Sequence, residues 1–184
     1  MIIASETYFI KFPRLLHYLK NELPKVVDNK PLLNAYIMTA ATNGGRRQVP
    51  KGKLFNYELI GKMALRPGGG PTALVLPIMK KLNPKTKAVE RVDAMTIALG
   101  NSITFNARLF KGLEAMVNLN DTRAAFELVT LHELTHWLHA RGTANPEHEI
   151  GEIGEEFEAA AYSSDERKAR QLVIDAAYML AAAG

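Results

Sequence analysis

Cysteine is missing from all 184 residues. That absence excludes disulfides, thiolate metal ligands and a cysteine nucleophile, so any metal has to be held by histidine and carboxylate. Apolar runs of about 18 residues or more, the length a membrane span needs, are missing too. The first twelve residues have neither the basic start nor the cleavage site of a signal peptide, and Glu6 and Tyr8 interrupt their apolar stretch. The expectation is a soluble protein without a membrane span, cytoplasmic or secreted by a signal-independent route. Internal repeats and low-complexity tracts are absent apart from the alanine-rich tail, Ala181 to Ala183.

What is present is enough for a folded unit. With 47% apolar and 23% charged residues, the chain lies well inside the globular range and can bury a continuous core. A single domain over residues 1–184 is expected. The net charge of +4 conceals an asymmetry: residues 1–120 hold 18 Lys/Arg against 7 Asp/Glu, and residues 121–184 hold 5 against 12. The basic residues are scattered, with only Arg46-Arg47, Lys80-Lys81 and Lys85/Lys87 locally dense. They read as a solvated surface, and no nucleic-acid partner is expected.

Periodicity and turn residues predict an α+β protein. An extended piece over residues 8–12 is followed by a helix over 13–22, with Pro13 in its first turn. Further helices are predicted over 31–42, closed by Asn43-Gly44-Gly45, and over 54–65, stopped by Arg66-Pro67-Gly68-Gly69-Gly70. Residues 72–79 and 89–99 read as a β-hairpin whose Pro77 puts the first strand at an edge. A short strand over 102–106 and a helical stretch over 107–117 come next. A long helix capped by Asp121 or Thr122 runs to about Arg141 and ends at Gly142. Its apolar residues, Phe126 to Leu138, fall on more than one face, which marks a buried helix. The last helical region, 150–183, has a candidate new cap near Ser163-Ser164-Asp165.

Four of the five histidines lie between positions 132 and 148. On a helix, His132 and His136 stand one turn apart on the same face, so both imidazoles reach one ion. Glu133, rotated by roughly 100° from His132, is better placed to act on a metal-activated water than to be a ligand. Left unpaired on a buried helix, two histidines and a glutamate would cost several kcal/mol, and a metal ion with its water satisfies all three. Zinc held by three protein ligands keeps a fourth position open. Candidates for the third ligand are His139, His148, Glu155, Glu156 and Glu158. His139 is roughly 10 Å along the axis from His132, too far to share an ion with it, and fits a cleft, supporting or helix-end role instead. Glu147, Glu149 and Glu152 read as the solvated carboxylates of a helix start.

The segment His132-Glu133-Leu134-Thr135-His136 carries the His-Glu-x-x-His signature, and residues 122–162 resemble the gluzincin branch of the zincin metallopeptidases, in which a second helix supplies a glutamate ligand. The metzincin arrangement is disfavoured, since His139 and Gly142 stand where it requires Gly and His. Many gluzincins place an Asp four residues after the ligand glutamate, whereas here Ala159, Ala160 and Tyr162 occupy those places for Glu155, Glu156 and Glu158. The run Phe157-Glu158 followed by Ala161-Tyr162 also looks like the second helix of metallopeptidase toxin domains, where that glutamate is the ligand. The resemblance thus implies zinc (Zn2+) on His132, His136 and Glu158, with Glu155 and then Glu156 as the next choices. It implies Glu133 as general base, Tyr162 as a helper for the oxyanion beside His139 and His148, a protein or peptide substrate, and residues 102–106 as the substrate-binding edge strand. A small zincin-like domain is expected, its buried active-site helix packed against a C-terminal helix beside a short mixed or antiparallel sheet. The biological setting implied is a bacterial secreted effector or toxin. The alternative is a zincin-like binding or regulatory protein that no longer cleaves.

Overall fold

The computed structural model describes residues 1–3, 9–49, 51–77, 80–82, 89–97, 101–142 and 152–183. Among them are seven helices and two small sheets. Helix α1 (Pro13–His17) continues into a π turn (Tyr18–Glu22) and a 3₁₀ segment (Leu23–Val27). Helices α2 (Lys30–Thr42) and α3 (Lys51–Leu65) follow. After the sheet come α4 (Ala107–Ala115), α5 (Leu119–Gly142), α6 (Ile153–Ala161) and α7 (Ser164–Ala183). The fold class is α+β, as expected.

Local chemistry sets the helix ends. Asn29 caps α2 by accepting from Leu32 N, and Asn43 closes the same helix in the left-handed region at φ 52°. Asn106 starts α4 by accepting from Arg108 N at 3.0 Å, while its amide donates to Val92 O. Helix α5 starts earlier than the sequence implies. Asn118, rather than Asp121 or Thr122, supplies the capping oxygen, accepting from Asn120 N and Asp121 N. Ser163 and Glu166 form a reciprocal capping box that starts α7 where the break was expected.

The strands depart more from expectation. Residues 9–12 form a turn closed by Phe12 N–H to Phe9 O, not an extended piece, and the first strand is β1 (Ile2–Ile3). The four-stranded sheet has the order β1, β2 (Thr72–Leu76), β6 (Ser102–Asn106), β5 (Ala94–Ile97), with β1, β2 and β6 parallel and β5 antiparallel to β6. Among the described residues, strand β2 is therefore internal and pairs with β1 and β6 instead of 89–97. A separate antiparallel pair joins β3 (Lys80–Leu82) to β4 (Val89–Arg91), while residues 78–79 and 98–99 of the expected hairpin lie outside the described residues. Residues 102–106, taken as the edge strand, lie inside the sheet with every residue buried, because parallel pairing to β2 occupies one side and β5 the other. The edge strand beyond β6 is β5.

Helix α5 runs through the middle of the molecule, touching α2, α3, α6, α7 and β5. That enclosure explains its all-round apolar pattern: Phe126, Leu131, Leu134 and Leu138 are buried, as are Thr130, Glu133, Thr135 and His139. Its sheet-side anchor is Trp137, whose Nε1 donates to Asn101 Oδ1 at 2.8 Å in the left-handed turn before β6. Helix α6 packs on α5 with Ile153, Gly154 and Phe157 buried, whereas Ala159 and Ala160, the small residues that would have allowed a close approach, are exposed, and α4 meets α7 so closely that a Cβ on Gly112 would overlap the Ala177 carbonyl. No helix among the described residues is long and apolar enough to cross a membrane.

Candidate metal centre

One turn apart on α5, His132 and His136 turn their Nε2 atoms toward each other at 3.4 Å, with ring centroids 5.1 Å apart. Glu152, immediately before α6, brings Oε1 to 2.5 Å from His136 Nε2 and 3.5 Å from His132 Nε2. This oxygen is buried and makes no aligned hydrogen bond, although it lies within reach of both rings. Two ring nitrogens and one carboxylate oxygen thus face one point, and these three residues form a donor set able to hold a metal ion.

The surroundings favour positive charge at that point. Burial alone would pull the His132 imidazolium down, yet Glu152 and Glu158, with the charge of Glu133, outweigh it and raise this group to about 10. Burial likewise opposes ionisation of Glu152, and its closeness to the two rings outweighs that and holds the carboxyl well below its usual range. A site that prefers a proton's charge so strongly also suits a divalent cation, which displaces such protons on binding.

Glu158 lies on the far side of the first ring. Its Oε1 is 2.7 Å from His132 Nδ1, so the tautomer protonated at Nδ1 donates to Glu158 and turns the Nε2 lone pair toward His136 and Glu152. Glu155 is exposed, and Glu156 pairs with Arg46 at 2.5 Å. His139 is buried and its Nδ1 lies 2.8 Å from Ala40 O, tying α5 to the end of α2. Tyr162 donates from its hydroxyl to Glu127 Oε1 at 3.1 Å, and Arg170 both pairs with Glu127 and lies over the Tyr162 ring. Burial, then the Glu127 charge, raises the Tyr162 phenol well above its usual range. His148, Glu147 and Glu149 lie outside the described residues.

Glu152, read from the sequence as a solvated helix-start carboxylate, instead faces both histidines, and two further residues escaped the sequence reading. Thr96 of β5 places its hydroxyl 2.8 Å from Glu133 Oε2. Gly154, in the first turn of α6, lies flat against His132, where an added Cβ would come within 2.2 Å of Nε2. A glycine beside a cluster of carboxylates was the available signal for a close approach. Replacing Gly154 by Ala is expected to push the His132 ring out of line and weaken metal binding by about 10- to 100-fold, comparable to losing an orienting neighbour of a metal-bound histidine. Competition with a chromophoric chelator measures this, and unchanged affinity would show that the ring has room to move.

No curated protein and no solved structure matches the chain. A family model does, over residues 8–163, well beyond half of the length and including His132, Glu133, His136, Glu152 and Glu158. Its description is metallopeptidase toxin 3, and the chain belongs to that family of metallopeptidase toxins.

Proposed function

We propose that this protein is a zinc-dependent endopeptidase of zincin type, acting as a toxin on protein substrates. The observation that carries the reading is the convergence of His132 Nε2, His136 Nε2 and Glu152 Oε1 beside the buried carboxylate of Glu133. Two imidazoles and one carboxylate, with no thiolate, are a common donor set for catalytic zinc. When bound, the ion supplies a Lewis acid that polarises the scissile carbonyl and acidifies water.

The chain's own groups supply the rest. Glu133 takes a proton from the attacking water and returns it to the leaving amine. His132 and His136 serve as ligands, and in this proposal Glu152 completes the set while Glu158 holds the His132 ring by Nδ1. Glu158, the ligand implied by the resemblance, thus takes the supporting role. Tyr162 joins Glu127 to Arg170 and in this reading fixes α6 against α5 and α7 instead of serving the oxyanion. An extended peptide pairs along the open edge of β5, in the role first given to residues 102–106.

Metal removal tests the reading. Protein purified without chelator is expected to contain close to one zinc per chain. At zinc 100-fold above Kd, binding adds about 2.7 kcal/mol of stability, so chelation should lower the thermal midpoint by roughly 5–10 °C for a chain of this size. Peptide cleavage should disappear with the metal and return on zinc addition. A protein that carries no metal and melts at the same temperature with or without chelator would sink the proposal.

A further inference from the structure

Glu133 is held from outside its own helix. We infer that Thr96, on the edge strand β5, is a positioning residue that fixes the Glu133 carboxylate for proton transfer. Its hydroxyl lies 2.8 Å from Glu133 Oε2 and 2.7 Å from the Glu133 main-chain oxygen, so its single proton is shared between side chain and backbone of the same residue. Thr96 faces α5, while Met95 beside it is exposed on the other face, as strand alternation requires.

Glu133 is only 7% exposed, and a buried carboxylate needs donors for its oxygens. A glutamate carboxyl turns freely about its last bond. A β-branched threonine on a paired strand has a stiff χ1 and offers its hydroxyl from a fixed place. A general base must sit within about 2.6–3.2 Å of the proton it takes, and a misplacement of about 1 Å costs about 100-fold in rate. The strand that offers its open edge to substrate is therefore also the strand that aims the base.

This inference rests on the peptidase reading, in which Glu133 is the base, and its test keeps the two apart. Thr96→Val preserves shape and removes the hydroxyl, and Thr96→Ser restores it. In Thr96→Val, kcat is expected to fall about 10- to 100-fold with KM changed by no more than about twofold. Zinc affinity should match the parent, and Thr96→Ser should recover most of the lost rate. Crystal structures of both variants give a readout independent of turnover: the Glu133 carboxylate leaves its position in Thr96→Val and keeps it in Thr96→Ser. Parent-like kcat in Thr96→Val, a serine variant as slow as the valine one, or an unmoved carboxylate in Thr96→Val would each overturn the inference. A zinc-loaded parent that cleaves no peptide would count against the peptidase reading alone, and the two crystal structures would still decide whether Thr96 holds Glu133.

Discussion

Glu133→Gln is expected to bind zinc as tightly as the parent and to cleave peptides about 10²- to 10⁴-fold more slowly, the range that a positioned acid or base contributes. The amide keeps the size of the carboxylate, and its oxygen can still accept from the Thr96 hydroxyl. It cannot take a proton from water at neutral pH, however, so the loss falls on kcat. Metal affinity is spared because the facing donor atoms belong to His132, His136 and Glu152. Stability should hold or rise slightly, since an amide costs less to bury than an ionised carboxylate. Steady-state kinetics on a peptide substrate, with zinc affinity measured alongside, separate these effects. Undiminished cleavage by Glu133→Gln would remove Glu133 from the chemistry.

The sequence disclosed this centre unevenly, for physical reasons. His132, Glu133 and His136 were legible because a helix fixes the relation of residues one and four apart, and the all-round apolar pattern of α5 marked that helix as buried. Local stops and caps, such as Asn43 and the break near Ser163, were legible because they too depend on residues close in sequence. Contacts between elements were not. Glu152 read as a solvated helix-start carboxylate and Glu155, Glu156 and Glu158 as rival ligands, and only the docking of α6 on α5 puts Glu152 at the Nε2 atoms, Glu158 at Nδ1, Glu156 on Arg46 and Glu155 in solvent. The sheet failed similarly. Neighbouring segments suggested a hairpin, but β2 pairs in parallel with β6, so β5 becomes an edge strand beyond β6 and Thr96 comes to face Glu133.

Glu152→Gln and Glu158→Gln should separate ligand from support. If Glu158 orients His132 through Nδ1, its amide variant still accepts from that nitrogen but no longer raises the ring's basicity, and zinc affinity should fall about 10- to 100-fold. Glu152 offers its oxygen to the point both Nε2 atoms face. Replacing it exchanges an anionic ligand for a neutral amide, so Glu152→Gln should lose more affinity than that range. Both variants should also change the pH dependence. Either loss removes negative charge that now favours a proton on His132, so zinc should compete with fewer protons there and its weakened binding should depend less steeply on pH than in the parent. Chelator competition at several pH values measures both quantities. The reverse ranking, with Glu158→Gln the more damaging, would return Glu158 to the metal and make Glu152 the outer carboxylate.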